Sequence, residues 1–282
     1  MASAAHALEQ LVGNANPPDP ETLAGALALV QQTVRSCLQS PANDSADRID
    51  ECIRALRGLH GLECARVRII ALLDACQFFY MLGQPFRAIE PTMEAVRLAR
   101  ATQDNSMLRK GLNALGIVNA DTGNCARAVE CYAEALELAQ QLGDIEAEAA
   151  TWLNLGVALM YVAQYREAVS SFDRVVVLCG DNERMIAAKQ KANANTALCA
   201  LHLEDYGRGL RAAEASIQGD PPPKSPIDSL SRVLREHTYA RLLLEVNNLE
   251  EAKRRCQLAK EFAAKSGSPR ADIVASIAEG LY

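Results

Sequence analysis

The sequence predicts an all-α fold, a right-handed α-solenoid of antiparallel helix pairs, and three observations predict it. First, a small residue recurs at Cys76, Gly116, Gly156, Ala197, Ala240 and Gly280, in steps of 40, 40, 41, 43 and 40. Second, another small residue keeps that step on the following helix, at Ala88, Ala128, Ala168, Gly209 and Ala252. Third, 49% of the chain is hydrophobic but only 5% aromatic, so its helices carry short side chains that allow close approach. A fixed period of this length marks a stacked array in which each unit buries its apolar face against its neighbours.

The leading segment, 1–19, ends in Asn16-Pro17-Pro18-Asp19, a run that no helix can continue through. A degenerate pair occupies 20–60. Its first helix, 20–39, places Leu23, Leu27, Val30, Val34 and Leu38 on one face, and its second begins at Ser45, a residue suited to capping. It lacks the regular small residues, as a terminal repeat facing solvent does.

Five regular pairs fill 62–267: 62–82 with 85–101, 105–122 with 126–142, 145–162 with 165–179, 183–203 with 206–218, and 228–246 with 249–265. Gly83, Gly123, Gly143, Gly180 and Asn247 stand in the short turns, where a left-handed residue ends a helix, and Asp144 and Asp181 are placed to cap the helix that follows. Three consecutive prolines, Pro221 to Pro223, insert a stiff loop between the fourth and fifth pairs and account for the step of 43. Residues 268–282 read as the first helix of an incomplete further repeat, with Ile273, Ile277 and Leu281 on one edge. The expectation is a fragment of a longer protein, or an edge that a second copy covers to form a homodimer.

Charge and composition narrow the function classes. The net charge is −6, and it divides as 14 Lys and Arg against 22 Asp and Glu over 1–182, then 15 against 13 over 183–282. Neither part has the dense basic stripe that nucleic-acid binding needs. No apolar run is long enough to span a bilayer, and MASAAHALEQ lacks the basic and apolar regions of a secretion signal. Nine cysteines without a CxxC pair, set in helical patterns, read as reduced core residues. The localisation expected is therefore cytoplasmic.

No enzyme is expected, because the chain has no glycine-rich phosphate loop and no nucleophile elbow. No cofactor and no metal are expected either, since His6, His60, His202 and His237 make no recognised metal-ligand pattern.

Trp152, Leu155, Gly156, Ala168 and Phe172, with Leu112, Leu115, Gly116, Ala128 and Tyr132 one period earlier, resemble the tetratricopeptide repeat. The stretch from Ala135 to Asp144 is similar to the long-repeat subclass of kinesin light chains and maltose-regulator-type bacterial activators. The resemblance covers about 62–282 and, more weakly, 20–60. HEAT and armadillo arrays have similar periods but lack the paired small residues at 116/128 and 156/168.

The resemblance implies that first helices line a concave groove. Offsets from the small residue then place Asp74, Gln77, Lys110, Asn154, Tyr161, Lys191, Asn195, His202 and Arg241 along it. In this family an Asn at the position of Asn154 and Asn195 often contacts the main chain of a bound peptide, and a carboxamide has the donor and acceptor for that contact. The same Asn could instead bond a neighbouring helix. Lys191 beside that row is placed to hold a carboxylate. The basic clamp of receptors for chaperone tails is absent.

The function expected is a non-enzymatic protein- or peptide-binding scaffold, serving as the sensory or interaction domain of a larger bacterial signalling or regulatory protein. The alternatives are a stand-alone cytoplasmic adaptor and a self-associating module. Usage of Arg over Lys (Lys110 is the only lysine in the first 182 residues) fits a GC-rich bacterial genome.

Overall fold

The computed structural model describes residues 4–12, 19–39, 44–57, 65–219, 225–266 and 269–279. The proline run at 17–18, the loop at 220–224, and Gly280 and Leu281 lie outside the described residues. The fold is an all-α solenoid of antiparallel helix pairs, with no strand among the described residues. The chain forms two compact units, Met1–Asp144 and Ile145–Tyr282.

The first unit holds α1 (Ala4–Val12), α2 (Pro20–Gln39), α3 (Ser45–Arg57), α4 (Ala65–Met81), α5 (Pro85–Ala101), α6 (Asn105–Asp121) and α7 (Cys125–Leu142). Here α4 packs on α5 and α6 on α7 as repeat pairs, while α2, α4 and α6 also touch in sequence and form one layer. The leading segment contains a helix that the periodicity does not show. α1 is only nine residues long, and such a short helix depends on tertiary burial. It obtains that burial from α2 and α3, through Ala4, Ala5 and Leu8.

The second unit holds α8 (Ile145–Tyr161), α9 (Tyr165–Cys179), α10 (Ile186–His202), α11 (Tyr206–Ile217), α12 (Pro226–Glu245), α13 (Leu249–Ser266) and α14 (Pro269–Glu279). A short 3₁₀ turn, Glu183–Met185, leads into α10, and its cap is Asn182, whose side chain accepts from the Arg184 amide, rather than Asp181. The pairs are α8 with α9, α10 with α11 and α12 with α13, and α10 touches both α8 and α12.

The periodic small residues hold this packing together. Cys76, Ala197, Ala240, Ala88, Ala128, Ala168 and Ala252 are all buried. At Gly116 a Cβ would overlap the ring of Tyr132, and at Gly156 it would overlap the ring of Phe172. Each glycine thus accepts an aromatic side chain from sixteen residues later, on the partner helix, and both aromatics are buried. Close-packed interiors leave no slack for an added methyl at such a contact.

The helix ends repeat as faithfully as the core. Gly83, Gly123, Ala163, Glu204 and Asn247 all have φ between 58° and 84°, at the same steps as the core residues. The next residue donates back across the helix end, as from the Asn124 amide to the Asn119 carbonyl at 2.8 Å and from the Gln164 amide to the Leu159 carbonyl at 2.9 Å. This closes the last turn and satisfies a carbonyl that would otherwise lack a donor. Glycine and asparagine are therefore not required here: Ala163 and Glu204 adopt the same left-handed backbone.

Candidate functional site

A cavity of about 780 Å³ opens in the second unit. Its first wall is the row of α8 and α10, with Leu153, Asn154 and Val157 followed by Lys191, Asn195 and Leu198. α12, which touches α10, lines it through Asp228, Leu234, Arg235, His237, Thr238 and Arg241. Ala213 and Ser216 of α11 also line it, so the space reaches past the first-helix layer to a second helix. α12 begins with Pro226, directly after the long connection, and is three residues longer than α10. Its added first turn brings Asp228 to the cavity wall.

Two bonds latch the walls to the end of α11. The Arg235 guanidinium donates to the Ser216 carbonyl at 2.5 Å, and the Gln190 amide donates to the Gln218 carbonyl at 3.4 Å. Asp228 is occupied as well, since the Ser225 hydroxyl donates to its carboxylate at 2.8 Å and its own amide donates to Ser225 Oγ at 3.2 Å. By contrast Lys191, Asn195 and Arg241 have no hydrogen bond or ion pair with any described residue. His237 is half-buried, its Nε2 has no partner among the described residues, and burial, aided by the nearby Arg241 charge, pushes its pKa down. The imidazole is thereby held neutral near pH 7.

Of the residues that the offsets single out, Asn154, Lys191, Asn195 and Arg241 come together on this cavity. Tyr161 lies on α8 but outside the cavity lining, 61% exposed. His202 is not on the cavity either: its ring stacks on Tyr165, with centroids 4.5 Å apart and planes 3° apart, which makes it a contact between neighbouring pairs. In the first unit Asp74 accepts from Arg35 Nε at 3.1 Å, so its carboxylate is neutralised by an adjacent pair. Gln77 and Lys110 are exposed on α4 and α6. At the chain's end, Ile273 and Ile277 are 61% and 53% exposed on α14, while Ala271 and Ala275 bury its other face.

Sequence reasoning overlooks Ser216, Asp228 and Arg235. The signal for them is the step of 43, which marks the pair whose first helix starts early.

Seven of the eight described cysteines are buried, and Cys125 is partly exposed. All eight that the structure describes are free thiols, and burial pushes Cys52 and Cys199 up to about 11, far from a reactive thiolate. Among the described residues no group of three His, Cys, Asp or Glu could hold a metal ion, and no helix is long and apolar enough to cross a membrane.

Residues 107–176, which carry both glycine–aromatic pairs, match the family model described as tetratricopeptide repeat. That stretch carries tetratricopeptide repeats. Solved structures extend the likeness along its length. BtubC (BKLC) from P. vanneervenii is 14% identical with a TM-score of 0.61, over 89% of this chain and 94% of that one. A kinesin light chain repeat protein from Podosopora anserina is 16% identical with a TM-score of 0.59, over 74% and 99%. NprR, solved in complex with its cognate peptide NprX, is 10% identical with a TM-score of 0.61, over 99% and 81%. At such identities these likenesses establish the fold of the chain and nothing finer. No match to the sequence is found among curated proteins.

Proposed function

We propose that this chain is a non-enzymatic interaction scaffold that binds an extended peptide in the cavity between α8, α10, α11 and α12. The observation that carries this reading is the cavity lining itself. Two carboxamides in the same repeat register, Asn154 and Asn195, stand on it beside Val157, Leu198 and Leu234. Carboxamides match a peptide main chain whatever its sequence, and the apolar neighbours offer places for its side chains. Asn195 is free to do so, having no bond within the described chain. A structurally similar protein, NprR, holds a peptide, which supports the same use here. We take the scaffold to serve as the sensory or interaction part of a bacterial signalling protein, with the chain itself supplying recognition and no chemistry.

The test is selection of random nonamer peptides displayed on phage against the full chain. Peptides should be enriched above a bead control, and Asn154→Ala with Asn195→Ala should weaken the best of them about tenfold, since each lost main-chain bond in a desolvated site is worth roughly 1 kcal/mol or more. Circular dichroism should show unchanged helicity. Absence of any enriched peptide, or undiminished binding by the double variant, would refute the reading.

A further inference from the structure

We infer that the edge of the second unit formed by its three inner turns is a docking surface for a protein segment that carries Lys or Arg among apolar side chains. The residues of this edge do not line the cavity, and the surface stands independently of it.

The turns join α8 to α9, α10 to α11 and α12 to α13, and they share one backbone: Ala163, Glu204 and Asn247 are left-handed, with φ of 58°, 58° and 59°. Side chains bring neighbouring turns together. His202, the last residue of α10, stacks on Tyr165, the first of α9. Tyr206, the first residue of α11, packs in one apolar cluster with Leu244 near the end of α12. Loss of water, then the Glu245 and Glu204 carboxylates, push the Tyr206 pKa up, so both carboxylates stand near one hydroxyl.

Two properties coincide on this edge. Tyr161, Val162, Val246 and Leu249 are large and apolar, yet between 42% and 61% exposed. With them stand Glu204, Asp205, Glu245 and Glu250, all exposed and none in an ion pair among the described residues. No Lys or Arg occurs in 161–165, 202–206 or 245–250. Elsewhere exposed carboxylates do meet cations, as Asp173 meets Arg208 and Glu134 meets Arg100. The first unit has only half of the combination. Tyr80, Met81 and Leu82 are exposed at its α4–α5 turn, but the next turn, 121–124, has no large apolar residue and a single acid, Asp121.

Exposed apolar groups rimmed by polar ones mark interaction sites, because covering them releases water. The uncompensated carboxylates select the partner. They repel phosphate, which disfavours nucleic acid and anionic lipid, and two copies meeting edge to edge would place like charges together. Lys and Arg lay their stems along apolar surface while their charged ends reach carboxylates, so a basic apolar segment satisfies both properties at once. First helices packed about 8–10 Å apart set the outer turns roughly 20 Å apart, a span that about thirteen helical residues cover.

The test pans random 16-residue peptides displayed on phage against the full chain carrying Asn154→Ala and Asn195→Ala, which removes the cavity carboxamides. Peptides that combine Lys or Arg with Leu, Ile or Phe should be enriched. The best of them should bind about tenfold more weakly when Tyr161→Ser and Leu249→Ser are added, and Glu204→Gln with Glu245→Gln should weaken it and flatten its salt dependence. All four side chains are exposed, so circular dichroism should show unchanged helicity. Absence of such peptides, or binding that either pair of substitutions leaves unchanged, would overturn the inference. So would a dimer in sedimentation that Tyr161→Ser with Leu249→Ser disperses, because a second copy would then be the occupant of the edge.

Discussion

In the first unit, ion pairs tie neighbouring helix pairs together: Arg57 reaches Glu90 at 2.6 Å, Arg87 meets Asp50, and Arg100 holds Glu134 at 2.6 Å. These groups are substantially exposed, and the unit's apolar core runs as one continuous cluster from Ala4 to Leu138. In the second unit the cluster around Ala197 and Leu242 is separate from the one around Val233 and Ala259, and the large cavity lies along the same helices, α10 and α12. There, beside exposed pairs such as Arg208 with Asp173, one charge is buried deep and two cavity cations are left without a partner among the described residues. Glu236 is fully buried between Arg232 at 2.9 Å and Arg255 at 3.4 Å, while Lys191 and Arg241 have no partner within the described chain. One repeat pattern thus supports a first unit with a continuous core and exposed ion pairs between its helix pairs, and a second unit that buries a charged cluster and opens a cavity of about 780 Å³. Our proposal of recognition in the second unit starts from that difference.

The largest effect should come from the buried charge. Arg232 and Arg255 also lie over the rings of Phe262 and Tyr239, so each is fixed on two sides. Replacing both by Met would strand the Glu236 carboxylate, which costs about 3–5 kcal/mol when a buried partner is removed. Adding Glu236→Leu should recover most of that loss, because a well-packed apolar trio avoids the desolvation cost altogether. The matching change in the first unit, Arg35→Met, breaks an exposed pair and should cost under about 1 kcal/mol. Urea denaturation of the variants checks the contrast, and similar losses in the two units would erase it.

Packing should behave alike in both units, which isolates charge as the difference. Gly156→Ala drives a methyl into the Phe172 ring and Gly116→Ala drives one into the Tyr132 ring, so each should destabilise by about 1–3 kcal/mol. Phe172→Leu added to Gly156→Ala should return part of the loss, since the smaller side chain leaves room. A Gly156→Ala variant as stable as wild type would show that this contact is looser than its geometry implies.

These contacts explain which features the sequence makes legible. The small residues follow a fixed period because every pair solves the same packing problem, so Gly116, Gly156 and Ala197 can be located by counting. The same offsets bring Asn154, Lys191, Asn195 and Arg241 to the cavity lining. Counting fails where a residue's fate depends on a partner far along the chain. Asp74 fits the groove register, yet Arg35, thirty-nine residues earlier, occupies it. His202 fits too, yet Tyr165 stacks on it. Ser216 and Asp228 are brought to the cavity by the point at which α12 starts, which follows a connection without periodicity. The helix α1 is hidden for a related reason: nine residues carry too little pattern, and its burial comes from α2 and α3.

The smallest effect should come from the turns, and it should differ in sign between the units. Gly123 in the first and Ala163 in the second occupy equivalent left-handed positions, with φ of 84° and 58°. An L-residue there costs about 1–2 kcal/mol in backbone sterics, while glycine raises the entropy of the unfolded chain by somewhat less than that. Ala163 is exposed and loses no packing on truncation. Ala163→Gly should therefore stabilise the chain by roughly 0.5 kcal/mol, and Gly123→Ala should destabilise it by about 1 kcal/mol. Thermal unfolding of the two variants reads both signs. If Ala163→Gly lowered the melting temperature, the strain at this turn would already be relieved by its neighbours, and the two turns would not be equivalent.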